Sequence, residues 1–187
     1  MNFIDKDTEE VLDTASYKDF ISNAADVDGE SEEDENAPGL SSAAEIAQQE
    51  TVTVADTSEF YVDYAAITDD VLPPQPGDWY THYEADDGKV YVDLCIGYKN
   101  WKEKNVGADE VLSATLTYDG KYEYTGFSMI EQSSRSDFTY SNITSIAPLT
   151  TEYLHYLFEV PAEVESGSGS IEISFVIGGN SYTCTVR

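Results

Sequence analysis

The stretch that decides the fold is Lys89-Val90-Tyr91-Val92-Asp93-Leu94-Cys95-Ile96-Gly97-Tyr98. Successive side chains of a strand point to opposite faces. Val90, Val92, Leu94, Ile96 and Tyr98 therefore point one way, and Tyr91, Asp93, Cys95 and Gly97 the other. Period-two alternation rich in Val, Ile and Tyr reads as strand. The same texture recurs downstream. Residues 112–118 place Leu112, Ala114, Leu116 and Tyr118 on one face, and Asp119-Gly120 signals a type I′ hairpin turn into a return strand over 121–127. Two more strands are predicted at 138–143 and 153–160. In the second, Leu154, Tyr156, Phe158 and Val160 alternate with Tyr153, His155, Leu157 and Glu159 before Pro161 ends the run. A last pair, 171–177 and 181–186, is joined by Gly178-Gly179-Asn180. About seven short strands over ~110 residues predict an all-β, immunoglobulin-like antiparallel β-sandwich. Such a length can bury its own core.

Upstream the composition changes. The chain has 187 residues, with 37 Asp+Glu against 9 Lys+Arg and a formal net charge of −28. Residues 1–57 hold 16 acids, 2 bases and only three aromatics, Phe3, Tyr17 and Phe20. The remaining 20 aromatics lie beyond them. With so little to bury, 1–57 reads as an acidic disordered tether, with a short transient helix over 8–21 whose early acids suit a helix N-terminus. Its acidic run, DVDGESEEDEN over 26–36, fails the EF-hand pattern, because Gly29 falls at position 4 and Ala37 at position 12. Residues 58–77 read as a lead-in segment ending in the Pro-rich hinge Pro73-Pro74-Gln75-Pro76-Gly77. The sandwich is assigned to 78–187. Met1 is followed by neither a basic nor an apolar region of the kind an export signal needs. The expectation is a cytosolic protein, or a mature piece of an exported one.

Several chemistries are excluded by residue type and spacing. An acidic chain does not bind nucleic acid by counterion release, nor adsorb to anionic lipid. No apolar run reaches the roughly 18 residues of a membrane span. His82 and His155 would need each other plus a carboxylate such as Glu84 or Glu152 to hold zinc, and nothing in their spacing brings them together, so both are read as surface residues. Gly126-Phe127-Ser128-Met129-Ile130 lacks the second glycine of a nucleophile elbow. Gly167-Ser168-Gly169 lacks the Lys-Ser/Thr ending of a phosphate loop. Abundant carboxylates pair by chance and give a glycosidase reading no specific support. Asn142-Ile143-Thr144 fits a glycosylation acceptor, silent in a bacterial protein. No catalytic residue, metal or cofactor is expected. Cys184 shares parity with Tyr182 and Val186 and is read as core-facing. Cys95 sits on the opposite parity to Val92, Leu94 and Ile96. Parity thus favours two small thiols over a bridge, and a thiol count decides between them.

The enrichment in aromatics points to contact surface. Trp79 and Trp101 lie near strand ends, Tyr122 and Tyr124 flank the hairpin, and Tyr91 and Tyr153 are read as facing outward. Exposed Trp and Tyr supply rigid contact area, although Tyr is also a good strand former with its ring in the core.

Lys89 to Asn100 resembles the strand-then-Asn opening of telokin-like, immunoglobulin-fold domains found in surface lipoproteins of Gram-positive bacteria. Thr115-Leu116-Thr117-Tyr118-Asp119-Gly120-Lys121-Tyr122 is similar to their second hairpin. Ser145-Ile146-Ala147-Pro148-Leu149-Thr150-Thr151, followed by Leu157 to Pro161, is similar to their loop-strand-Pro signature, although the usual Gly and acid after the loop Pro are here Leu149 and Thr150. The resemblance covers about 78–187. It implies a non-enzymatic, exported, cell-surface module and carries over no catalytic residue. The functional expectation is a monomeric interaction module on an acidic tether, contacting an unknown protein or glycan partner. The alternatives are a carbohydrate-binding module, which needs coplanar exposed aromatics, and a purely structural spacer.

Overall fold

The computed structural model describes residues 43–132 and 134–187. The expected helix over 8–21 and the acidic run over 26–36 lie outside the described residues.

In chain order the elements are β1 (Ala44–Glu45), β2 (Thr51–Val54), β3 (Ser58–Thr68), β4 (Asp70–Val71), β5 (Tyr83–Glu84), β6 (Lys89–Asn100), β7 (Val106–Gly107), β8 (Ser113–Tyr118), β9 (Tyr122–Thr125), β10 (Phe127–Glu131), β11 (Phe138–Tyr140), β12 (Ser145–Ile146), β13 (Thr151–Pro161), the one-turn helix α1 (Ala162–Ser166), β14 (Ile171–Ile177) and β15 (Asn180–Thr185). Two large sheets form the sandwich, with strand orders β1-β15-β14-β8-β9 and β11-β10-β13-β6-β3-β2. Pairing is antiparallel throughout both, except where β1 runs parallel to β15.

The core between the sheets is built by the alternation read in the sequence. Val92, Leu94 and Ile96 of β6 and Leu154 and Phe158 of β13 are fully buried, as are Leu116 of β8 and Ile171 and Ile173 of β14. Phe60 of β3 crosses the interlayer space to Phe175 at 6.2 Å and to Tyr182 at 5.0 Å, both edge-on. Each such ring stabilises the fold by roughly 1.5–3 kcal/mol. The hairpin β8–β9 turns through Asp119 (φ 52°) and Gly120 (φ 64°), the two left-handed residues of a type I′ turn.

Three readings are corrected. The sandwich does not begin at residue 78: β3 pairs with β6 along most of its length, and β2 and β1 occupy sheet edges. Residues 43–57, assigned to the tether, and 58–77, assigned to a lead-in, are thus part of the folded unit. The cause is a bulge. The register of β3 on β6 shifts between Val62 and Tyr64. Phe60 and Val62 face the core before it, and Ala65 and Ile67 pack on the core after it. One extra residue reverses parity, which hides the strand from an alternation test. Secondly, the return strand over 121–127 is cut at Gly126. There the chain passes from β9 in one sheet to β10 in the other, and a Cβ at Gly126 would run into the Leu157 carbonyl. Thirdly, residues 141–143 are a 3-10 turn rather than strand.

Cys95 and Cys184 are both free and buried. Cys184 packs in the intersheet core, whereas Cys95 pairs in register with His155 on the other face of the six-stranded sheet.

A chain beginning at residue 78 removes β3 from beside the central strand and exposes the core flank of β6. It is expected to show no cooperative unfolding transition. A sharp transition in calorimetry would show instead that the sandwich folds without β3.

Candidate functional site: a sealed polar cluster and an exposed tryptophan end

The outer face of the six-stranded sheet, turned away from the sandwich core, carries the polar half of β6. In a sheet, cross-strand neighbours share a face. His155 is the register partner of Cys95, and Leu157 of Asp93. The bulge in β3 sets Tyr64 opposite Cys95. Glu131, at the end of β10, lies two residues beyond Met129, the partner of His155.

These side chains close on one another. His155 Nδ1 lies 3.0 Å from both oxygens of Asp93, and His155 Nε2 lies 3.0 Å from Glu131 Oε1. Cys95 Sγ is 3.6 Å from the same Nε2. The Tyr64 hydroxyl donates to Asp93 Oδ2 at 2.9 Å. Arg135 donates to Glu131 through Nε at 2.5 Å and through a terminal nitrogen at 3.0 Å, and its guanidinium lies over the Tyr153 ring, 3.8 Å from the centroid. Tyr153 in turn shares a 3.1 Å hydrogen bond with Tyr61. Tyr61 can lie flat there because the residue between it and Tyr153 is Gly97, where a Cβ would strike its ring. Cys95 and His155 are wholly inaccessible, and Asp93 and Glu131 nearly so.

What covers the sheet is a second, smaller apolar cluster of Val71, Tyr91, Met129, Phe138 and Leu157, with Tyr83 and Ala85 packed against it. The segment leading from β4 to β5 is tied to the β10–β11 loop by Gln75 N–H to the Arg135 carbonyl (3.0 Å) and Thr81 N–H to Asp137 Oδ1 (2.6 Å). Arg135 itself sits in the left-handed region at φ 54°, a conformation uncommon outside glycine.

The electrostatics follow from the geometry. Burial opposes a charged imidazole, but the carboxylates of Asp93 and Glu131 outweigh it and hold the His155 pKa well above its ordinary value. Burial alone would raise the Glu131 carboxyl; hydrogen bonds from His155 and Arg135 overcome it, and its pKa falls. Burial pushes the Cys95 thiol up. Cys95, His155 and Asp93 thus stand in the order of a thiol–imidazole–carboxylate triad, yet Nε2 is shared with Glu131 and the thiol is disfavoured as a thiolate. A shallow depression of about 260 Å³ lies beside the cluster, lined by residues that include Glu131, Gln132, Ser145 and Glu152. Neither Cys95 nor His155 reaches it. The remaining chemistry of the set is coordination: the ligand atoms of Cys95, Glu131 and His155 all lie within 4.8 Å of one another.

His155, read as a surface residue, is therefore corrected to a buried one, because the outer face of its sheet is covered. His82 is not among the clustered ligand atoms; it is exposed and paired with Asp70 at 2.8 Å. The parity of Asp93, Cys95 and His155 along two adjacent strands was the available signal for the cluster.

The six residues proposed as contacts do not share one face. Tyr91 points to the outer face but is buried in the covering cluster. Tyr153 is half-buried beneath Arg135. Tyr122, on the edge strand of the other sheet, is exposed and stacks on Tyr118 at 6.3 Å. Tyr124 beside it packs against the intersheet core. Trp79 is 93 % exposed in the loop after the prolines. Trp101 follows β6 and is 46 % exposed.

The Trp101 end is the best-organised exposed surface among them. Buried Asn100 donates through Nδ2 to the carbonyls of Lys104 (2.9 Å) and Ile146 (3.0 Å) and accepts from Lys102 N–H at Oδ1 (2.9 Å). The backbone of Trp101 is held by Thr57, and that of Leu149 by Asn100. Leu149 is 72 % exposed. Lys99 Nζ stands 5.2 Å from the Trp101 ring centroid. Three of the nine Lys+Arg of the chain, Lys99, Lys102 and Lys104, fall within residues 99–104, beside a single acid, Glu103.

Removing His155 leaves two carboxylates buried against a single guanidinium. His155→Gln is expected to cost about 3–5 kcal/mol in urea denaturation. The raised imidazole pKa also sets a pH dependence. Its stabilisation is complete below about 6.5 and fades as pH rises through the higher folded-state value. The Glu131 contribution runs oppositely, complete above about 4.5 and fading as pH falls. Measured in EDTA, wild-type stability is expected to decline on the alkaline side, and His155→Gln to lack that decline. Parallel curves for the two proteins would refute the assignment.

No family model matches the chain, and no curated protein does. Among solved structures it is similar to an uncharacterized β-sandwich protein from Clostridium difficile 630, with a TM-score of 0.74 and 29 % identity over 82 % of this chain and 100 % of that one. It is also similar to a conserved hypothetical protein from Bacillus anthracis, with a TM-score of 0.49 and 12 % identity over 76 % of this chain and 95 % of that one. The first of these likenesses agrees with the two-sheet fold described above.

Proposed function

We propose that this chain is a non-catalytic interaction module of a bacterial cell surface, and that it contacts a carboxylate-bearing partner, glycan or protein, through the Trp101 end. The observation that carries the reading is the rigid, exposed, locally basic character of that end in an otherwise acidic chain. Asn100 satisfies its hydrogen bonds within the loop, so Trp101 and Leu149 are presented without an ordering cost at binding. A large aromatic ringed by charged groups is the usual composition of an interface anchor. Three lysines select for negative groups at the rim. Glu103 lies among these lysines and Glu59 is the register partner of Lys99, so three cations against two acids leave the end net positive by one, while acids farther off are screened beyond about 8 Å at physiological salt. The resemblance to surface domains supports the location, and the sealing of Cys95 and His155 supports the absence of catalysis.

Two other readings are weaker on the same observations. A flat sugar-stacking platform needs neighbouring coplanar rings, and among the described residues no aromatic ring pairs with Trp79 or Trp101. A pure spacer has no use for a preorganised hydrophobic tip.

Trp fluorescence of the full chain, titrated with polygalacturonate, poly-glutamate and neutral dextran, tests the proposal. A saturable change with an acidic polymer is expected. It should be lost in Trp101→Ala, weakened several-fold in Lys99→Gln/Lys102→Gln, and retained in Trp79→Ala. Binding that survives Trp101→Ala, or no response to either acidic polymer, would overturn it.

A further inference from the structure

We infer that the Cys95–Glu131–His155 cluster is a binding site for a single divalent ion of the zinc class, independent of the Trp101 end. Three different donor types, a thiol, an imidazole and a carboxylate, converge from three neighbouring strands: β6, β13 and β10. Borderline ions such as Zn²⁺ take this mixture, whereas calcium and magnesium take oxygen alone.

The spacing fits. Zinc bonds of about 2.3 Å to sulfur and about 2.0–2.1 Å to nitrogen, at a tetrahedral angle, separate the two ligand atoms by about 3.5 Å. Cys95 Sγ and His155 Nε2 lie 3.6 Å apart. Glu131 Oε1, at 3.0 Å from the same nitrogen, needs only a small outward movement. The far side of the ring is already prepared: Nδ1 faces the Asp93 carboxylate at 3.0 Å, the arrangement that orients a metal-bound histidine and strengthens it as a ligand. Asp93 is in turn fixed by the Tyr64 hydroxyl.

The exchange balances. Zn²⁺ enters, and two protons leave, one from Cys95 Sγ and one from His155 Nε2. Before and after, the formal charges within the site, from Cys95, Asp93, Glu131, His155, Arg135 and the ion once bound, sum to zero, so no net charge is added to a buried volume. Of the three ligands, Glu131 is the one that borders the depression that also holds Glu152, so an ion from solvent meets Glu131 before it meets the thiol. The fourth position falls to a water that enters with the ion. The guanidinium of Arg135, now bidentate on Glu131, competes for that carboxylate and must yield it for loading.

The test uses the full chain, reduced and metal-free. Titration with Co²⁺ is expected to saturate at one ion per chain and to develop a thiolate-to-cobalt charge-transfer band, which one equivalent of Zn²⁺ abolishes. Cys95→Ser, nearly isosteric, should lose the band, and Cys184→Ala should keep it. Arg135→Ala should load faster. X-ray absorption of the zinc-loaded wild type, which needs no variant to fold, should show one sulfur at about 2.3 Å. A folded wild type with no thiolate band and no zinc–sulfur distance overturns the proposal. A band that survives Cys95→Ser overturns it equally, since the ion would then sit elsewhere.

Discussion

The constraint on which the rest of the structure depends is that β6 is buried along both faces. Tyr91 to Tyr98 are inaccessible without interruption. One face needs only apolar partners, and β14, β8 and β13 supply them. The other face carries Asp93 and Cys95, and a carboxylate cannot be taken from water without partners. Covering that face with the β4–β5 segment and the β10–β11 loop therefore required Tyr64, His155, Glu131 and Arg135 to arrive together. The bulge at residue 63 of β3, the glycine at 97 of β6 and the left-handed Arg135 of the β10–β11 loop all serve that one demand: they let Tyr64, Tyr61 and Arg135 lie against the cluster and its cover.

Such a cluster is a poor way to stabilise a sheet. A buried ion-pair network is often matched or exceeded by apolar residues of the same volume. Here it stands beside a thiol, with a carboxylate set behind the imidazole, the donor set from which coordination is proposed. The Trp101 end poses the complementary case. There a buried Asn commits its hydrogen bonds to holding an exposed Trp and Leu in place, which stabilises a surface rather than a core.

Much of the sandwich was legible because strand period and turn chemistry are local. β6, β8, β13, β14 and β15 alternate cleanly, and Asp119-Gly120 takes the left-handed turn its residue types favour. Where the sequence misled, a single residue was responsible. One extra residue at the β3 bulge reversed parity and disguised a strand of the sheet as a linker. Gly126 moved the chain between sheets in the middle of an apparently continuous run. Asp93, Cys95 and His155 had readable parity, but parity says only which face a residue is on, not whether that face is covered.

By itself, then, the sequence determined the local geometry: which segments extend, where they turn, and which side chains share a face, since these follow from backbone sterics and a two-residue period. It also set the charge balance of the chain. Tertiary structure alone decided that the outer face is roofed, that Glu131 and Arg135 reach His155 from β10 and the loop beyond it, and that Trp101 rather than Trp79 stands on a rigid base. Those outcomes depend on contacts between residues tens of positions apart, where register, bulges and loop closure add together, and no local pattern carries their sum.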